Sequence, residues 1–179
     1  DKSMYKYEIS IIIPAYNEEK NIEKTIQSVI NQTIKPVQWI IISDGSTDKT
    51  DEIVQSYVKK NPFIKFFRAS GDKSHNFGSK VKAINFAKSQ ITVKEYDYAG
   101  VLDADVSFSG DYFNEVITRF DNNPRLGLGG GIIYQVNNDR IVKQNIDVNS
   151  VAGAVQLFRR QCFEQLGDFL PLQYGGEDA

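Results

Sequence analysis

The sequence predicts an α/β fold, a mostly parallel sheet with helices on both faces. Short apolar runs alternate repeatedly with longer amphipathic stretches, the mark of strand–helix–strand units. Those apolar runs carry no polar alternation, as strands covered on both faces do. The polar motifs, finally, recur just after the apolar runs.

The elements follow in order. Residues 9–13 are rich in β-branched residues and form the first strand. Over residues 19–31, Ile22, Ile26, Val29 and Ile30 share one helical face. Residues 38–42 are a second buried strand. The helix over 48–60 turns Ile53, Val54, Tyr57 and Val58 inward, with Ser46 or Thr47 as its N-cap. A strand over 64–68 leads to a helix over 79–90, with Ala83, Ile84 and Ala87 on one side. A fourth strand over 98–102 precedes a helix over 111–122 that Pro124 stops. The pattern then changes. Residues 128–134 read as a strand entered through Gly127, Gly129, Gly130 and Gly131. Residues 137–149 read as a loop or hairpin, 151–158 as a strand and 160–166 as a short helix.

A chain of 179 residues fits one domain with a sizeable core. The 21 basic and 23 acidic residues leave a net charge of −2, which gives no electrostatic reason to expect nucleic acid. The single cysteine, Cys162, excludes an internal disulfide framework and reads as a small buried hydrophobe. It fits a reducing, cytoplasmic compartment. No apolar run approaches the roughly 20 residues that span a bilayer, and residues 1–8 lack a signal-peptide pattern.

Three polar motifs sit at strand ends: Pro14-Ala15-Tyr16-Asn17-Glu18, Asp44-Gly45-Ser46-Thr47-Asp48 and Asp103-Ala104-Asp105. Ligands of open α/β sheets bind at that edge. Residues two apart at a strand end point to one side, so Asp103 and Asp105 would repel unless a cation lay between them. Mg²⁺ or Mn²⁺ suits such oxygen ligands and completes its shell with phosphates and water. The same pair also fits a helix N-cap or a solvated turn. Asp44 could accept a hydrogen bond from a nucleobase, although Asp-Gly is equally a turn signal. Lys80, opening a helix, suits a phosphate or a plain surface position. His75, the only histidine, reads as solvent-facing. The Gly127–Gly131 run does not lead from a strand into a helix as a dinucleotide fingerprint would. One His and one Cys leave little material for a hydrolase triad.

Together the motifs resemble glycosyltransferase family 2, an inverting family with the GT-A fold. The markers are Ile-Ile-Pro-Ala-Tyr-Asn-Glu (12–18), Ser-Asp-Gly-Ser-Thr-Asp (43–48), Ser-Lys-Val-Lys-Ala-Ile-Asn (79–85), Leu-Asp-Ala-Asp (102–105) and Gly-Gly-Glu-Asp (175–178), in the family's order. The resemblance implies a Rossmann-like nucleotide-diphospho-sugar transferase fold over residues 1–179, shortened at the C terminus. It implies that Pro14, Ala15, Tyr16 and Glu18 line a nucleotide pocket and that Asp44 contacts the base. Lys80, Asp103 and Ala104 would also bind the nucleotide. Asp105, helped by Asp103, would hold the Mn²⁺ or Mg²⁺, and Asp178 would be the general base with Glu177 beside it. Ser43 departs from the first acid of the family's Asp-Asp-Gly-Ser, and Ser79 from its Gly-Lys.

The implied reaction is metal-assisted transfer of a sugar from a nucleotide-diphosphate sugar, UDP-sugar foremost, to a hydroxyl on a saccharide or lipid-linked acceptor. Peripheral membrane association through a C-terminal extension, at the cytoplasmic face, accords with it. Two alternatives stand beside it. One is a non-catalytic nucleotide-sugar-binding module. The other is a sugar-1-phosphate nucleotidyltransferase, which the absence of a Gly-rich, Arg-containing first loop disfavours.

Overall fold

A computed structural model describes residues 7–69, 77–137, 140–145 and 150–169. Four apolar runs form parallel strands: β1 (Ile9–Ala15), β2 (Gln38–Ser43), β3 (Ile64–Arg68) and β4 (Tyr98–Leu102). Helices α1 (Ile22–Ile30), α2 (Thr50–Val58) and α3 (Phe77–Ser89) connect them, and α4 (Tyr112–Asn122) follows β4. After α4 come β5 (Leu128–Gly129), β6 (Tyr134–Asn137), β7 (Arg140–Lys143), β8 (Val155–Arg159) and α5 (Arg160–Gln165). The main sheet runs β3-β2-β1-β4-β8-β5, with β8 antiparallel to both neighbours.

Strand periodicity divides the core into two layers. Ile9, Ile11, Ile13, Trp39 and Ile41 face one side, where Ile22 and Ile26 of α1, Val54 of α2 and Phe113 of α4 cover them. Ile12, Ile40 and Ile42 face the other, under Val81 and Ile84 of α3 and Phe163 of α5. Every residue of β1 and β2 is buried, which is why neither strand shows polar alternation.

The order of the strands sets the place of the site. The chain moves outward from β1 to β2 to β3, then returns to place β4 on the other side of β1. That reversal is a topological switch point, where a crevice opens beyond the carboxyl ends of the strands.

The C-terminal half departs from the sequence expectation. The strand expected over 128–134 stops at Gly129, and Tyr134 instead opens β6, which among the described residues pairs with β7 and not with the main sheet. The glycines explain the break. A Cβ on Gly130 would lie 2.5 Å from Val151 Cγ1 and 2.7 Å from the Val155 carbonyl oxygen. A Cβ on Gly131 would lie 2.8 Å from the Tyr112 ring. The chain dives beneath the segment before β8 there and leaves the sheet. The stretch 137–149 contributes β7, and residues 138–139 and 146–149 lie outside the described residues. Residues 151–154, expected in the last strand, form a turn closed by Val155 N–H donating to the Ala152 carbonyl at 3.1 Å. Cys162 is half-buried rather than buried, packed against the Cβ-free face of Gly127.

Tyr112 pins the crossing. Its hydroxyl accepts from Gly131 N–H at 3.0 Å and donates to the Val155 carbonyl at 3.0 Å. Burial pushes its phenol from 10.0 up to about 12, against the Gly131 hydrogen bond. The neutral phenol is therefore the form that the fold favours. Tyr112→Phe should cost about 1–3 kcal/mol at neutral pH, because the buried Val155 carbonyl and the part-buried Gly131 N–H lose their partner. Urea denaturation measures this. Between pH 10 and about 12 the unfolded chain sheds the phenol proton while the folded chain keeps it, so wild-type stability falls. The gap between wild type and Tyr112→Phe should narrow across that window.

Candidate active site

β1 lies between β2 and β4, so the loops that follow these three strands stand side by side. Ala15 is paired with Ser43 across β1 and β2, and Asp44 N–H donates to the Ala15 carbonyl at 2.8 Å. On the other side Ile12 is paired with Val101, so the same register places Pro14 level with Asp103. Neighbouring strands are about 4.8 Å apart. Asp44 and Asp103 thus flank the end of β1, two strand spacings or roughly 10 Å apart across the sheet and offset by two residues along it. Buried Pro14 and Ala15 form the floor between them, and Tyr16 rises exposed from it.

Side chains zip the first two loops together. Asn17 adopts a left-handed backbone, φ 51°, which Asn tolerates better than most residues. Its N–H donates to Ser46 Oγ at 3.1 Å, and its Oδ1 accepts from Thr47 N–H at 2.8 Å. Glu18 N–H donates to Thr50 Oγ1 at 2.8 Å, and Glu19 N–H to Asp48 Oδ2 at 3.0 Å. Gly45 takes φ 72°, so the Asp-Gly turn needs its glycine. This zipper overturns the expected cap of α2. Ser46 and Thr47 serve the first loop, and the Asp48 carboxylate receives the Thr50 N–H at 2.9 Å. Arg68, at the end of β3, holds the same loop by donating to the Ser46 carbonyl at 2.9 Å and by pairing with Asp51. Sequence reasoning missed Asn17 and Arg68 as loop clamps. The signals were an Asn between Tyr16 and Glu18 and an Arg closing a strand.

The third loop brings the remaining acids. Asp103 and Asp105 follow β4 in a turn, not in the strand, so strand geometry does not orient them as expected. Asp103 is partly buried, Ala104 is buried and Asp105 is exposed. Asp103 N–H donates to the Ala154 carbonyl at 3.0 Å. Its Oδ1 accepts from Lys80 Nζ at 2.5 Å, in an ion pair with roughly a third of each side chain exposed. Lys80 lies in the first turn of α3, as the sequence suggested, with its charge directed at an acid of the rim.

Glu18 records the convergence. Burial pushes its carboxyl above the ordinary value, and the charges of Asp105, Asp103 and Asp48 push the same way, against a hydrogen bond from Asn21. Acids from the first, second and third loops therefore share one field. Asp178, Glu177 and His75 lie outside the described residues.

A divalent cation fits this arrangement. Among the described residues no three His, Cys, Asp or Glu side chains are grouped as a complete metal cage. Mg²⁺ needs no such cage when phosphates are present, because one or two carboxylates suffice. The donors here are hard carboxylate oxygens, and the charges that add to the effect of burial on Glu18 are ones that a cation would offset.

Comparison with known proteins agrees with this geometry. The chain is 33% identical over 150 residues to the poly-beta-1,6-N-acetyl-D-glucosamine synthase of Staphylococcus epidermidis, covering 83% of this chain and 34% of that protein. The chain thus spans about a third of the length of that curated relative. Among solved structures, a mannosyltransferase from Pyrobaculum calidifontis in complex with GDP-Man and Mn²⁺ superposes with a TM-score of 0.71 at 18% identity. That match covers 94% of this chain and 49% of the other. S. aureus TarS in complex with UDP superposes with a TM-score of 0.68 at 21% identity, covering 96% of this chain and 52% of that one. Both show the GT-A fold shared at this distance. The model of glycosyl transferase family 2 matches residues 10–171, nearly the whole of the described chain, and the protein belongs to that family.

Proposed function

We propose that this chain is the donor-binding part of an inverting glycosyltransferase that moves a sugar from a nucleotide diphosphate to an acceptor hydroxyl. The observation that carries this reading is the meeting of Glu18, Asp103, Asp105 and Lys80 at the switch point of the sheet. Family membership supports it and gives no support to a nucleotidyltransferase. The name of the S. epidermidis relative supports N-acetylglucosamine as the sugar and a saccharide as acceptor, and the likeness to TarS in complex with UDP supports UDP as the carrier. A cytoplasmic site of action, at the membrane face, accords with such a product. Among the described residues no helix is long and apolar enough to cross a membrane.

In this reading Pro14, Ala15 and Tyr16 line the nucleotide pocket, and Asp44 accepts a hydrogen bond from the base. Asp105, with Asp103, holds Mn²⁺ or Mg²⁺ against the diphosphate. The bound cation supplies Lewis-acid stabilisation of the charge that grows on the leaving group. Lys80 adds a second positive charge beside Asp103. Asp178 takes the proton from the acceptor hydroxyl. The acceptor oxygen forms a bond to the anomeric carbon as the bond from that carbon to the diphosphate breaks. The electron pair leaves with the nucleoside diphosphate. A single displacement inverts the anomeric centre and requires no sugar–enzyme intermediate, unlike retaining glycosidases.

Two variants separate binding from transfer. Asp105→Ala should abolish the Mn²⁺-dependent thermal stabilisation that UDP gives the wild type. Unchanged Mn²⁺ dependence in that variant would remove Asp105 from the cation site. Asp178→Asn should bind UDP as the wild type does and lose transfer by about 10²–10⁴-fold, read as acceptor-dependent UDP release. Full turnover would rule out Asp178 as the base.

A further inference from the structure

Helix α1 carries an oddity on its buried side. Its core face is apolar, yet Thr25 is fully buried and Gln32, just past the helix, is 2% exposed. Ser28, half-buried, lies between them. Spacings of three and four residues align the three along one stripe. Buried polar side chains are costly unless hydrogen-bonded, and apolar residues would fill the same space.

All three are bonded to one segment, the chain between β4 and α4. Thr25 Oγ1 lies 2.8 Å from the Ala104 carbonyl oxygen and 2.7 Å from that of Val106. One hydroxyl proton is shared between the carbonyls on either side of Asp105. Ser28 Oγ accepts from Phe108 N–H at 3.3 Å. Gln32 Nε2 donates to the Ser109 carbonyl at 2.5 Å, and its Oε1 accepts from Phe113 N–H at 3.0 Å. The latter replaces a cap that Asp111 does not give α4. Beside them, Thr33 N–H donates to the Gly110 carbonyl at 2.6 Å. The segment from 104 to 111 has no helix or strand of its own, and α1 is its template.

We propose that Thr25, supported by Ser28 and Gln32, is a positioning residue that fixes the backbone on both sides of Asp105 and so tunes the affinity of the cation site. This rests on the reading that Asp105 holds the cation. Thr25 touches neither cation nor diphosphate and acts through the Ala104 and Val106 carbonyls. Supporting groups that orient a metal ligand typically matter about 10–100-fold in affinity.

The test is calorimetric titration of Mn²⁺ into protein saturated with UDP, with melting temperature measured in parallel. Thr25→Val keeps the shape and removes the hydroxyl, and it should weaken Mn²⁺ binding about tenfold. Thr25→Ser keeps the hydroxyl and should restore wild-type affinity. Ser28→Ala, at a half-buried position, tolerates any fragility of the Thr25 site and should weaken Mn²⁺ in the same direction by less. Wild-type Mn²⁺ affinity in Thr25→Val, even at a lowered melting temperature, would overturn the proposal and leave Thr25 a packing residue. Unchanged affinity in Ser28→Ala with an unfolded Thr25→Val would overturn it as well. A wild-type protein that binds UDP without Mn²⁺ dependence would overturn the reading that Asp105 holds a cation, before any variant is compared.

Discussion

Like charges gathered at the end of a sheet are the constraint on which the rest of this structure depends. Glu18 from the first loop is held above the ordinary carboxyl value by burial and by the charges of Asp105 and Asp103 from the third loop and Asp48 from the second. Carboxylates so placed are stable only where something offsets their repulsion. Lys80 offsets part of it by its ion pair with Asp103. In the proposed function a bound cation would offset more of it, for the carboxylates and for the diphosphate alike.

The scaffold holds that rim by two different means. Apolar burial fixes the strands: β1 and β2 are covered on both faces, and every one of their residues is buried. Hydrogen bonds fix the loops. Asn17, Ser46 and Asp48 join the first loop to the second, while Thr25, Ser28 and Gln32 hold the third to α1. Such bonds are individually modest, about 1 kcal/mol net, but directional. A set of them sets loop geometry more sharply than apolar contact does, and the proposed chemistry requires that sharpness.

Much of this was legible in the sequence. The apolar runs marked all four parallel strands and the helices that follow them: β1, β2 and β4 are buried throughout and so show no polar alternation, while β3, at the sheet edge, is partly exposed. The positions of the polar motifs marked the right edge of the sheet. Residues 128–134 misled for a physical reason. Their glycines signal close approach, but to Val151, Val155 and Tyr112, partners about twenty residues away that a local pattern does not name. The clamps were hidden likewise. Thr25 and Gln32 look like ordinary polar positions on an amphipathic helix, and only the fold brings them to a loop some 80 residues on. The spacing of Asp103 and Asp105 after a strand marked them as a pair, but they lie in a turn and not in strand alternation.

The most direct measurement is the anomalous scattering of Mn²⁺ in crystals of the protein grown with UDP. The account predicts a single strong peak bridging the Asp105 carboxylate and the diphosphate oxygens, above the ends of β1 and β4. A diphosphate bound in that crevice with no Mn²⁺ peak beside Asp105, or a peak on another face of the sheet, would contradict it.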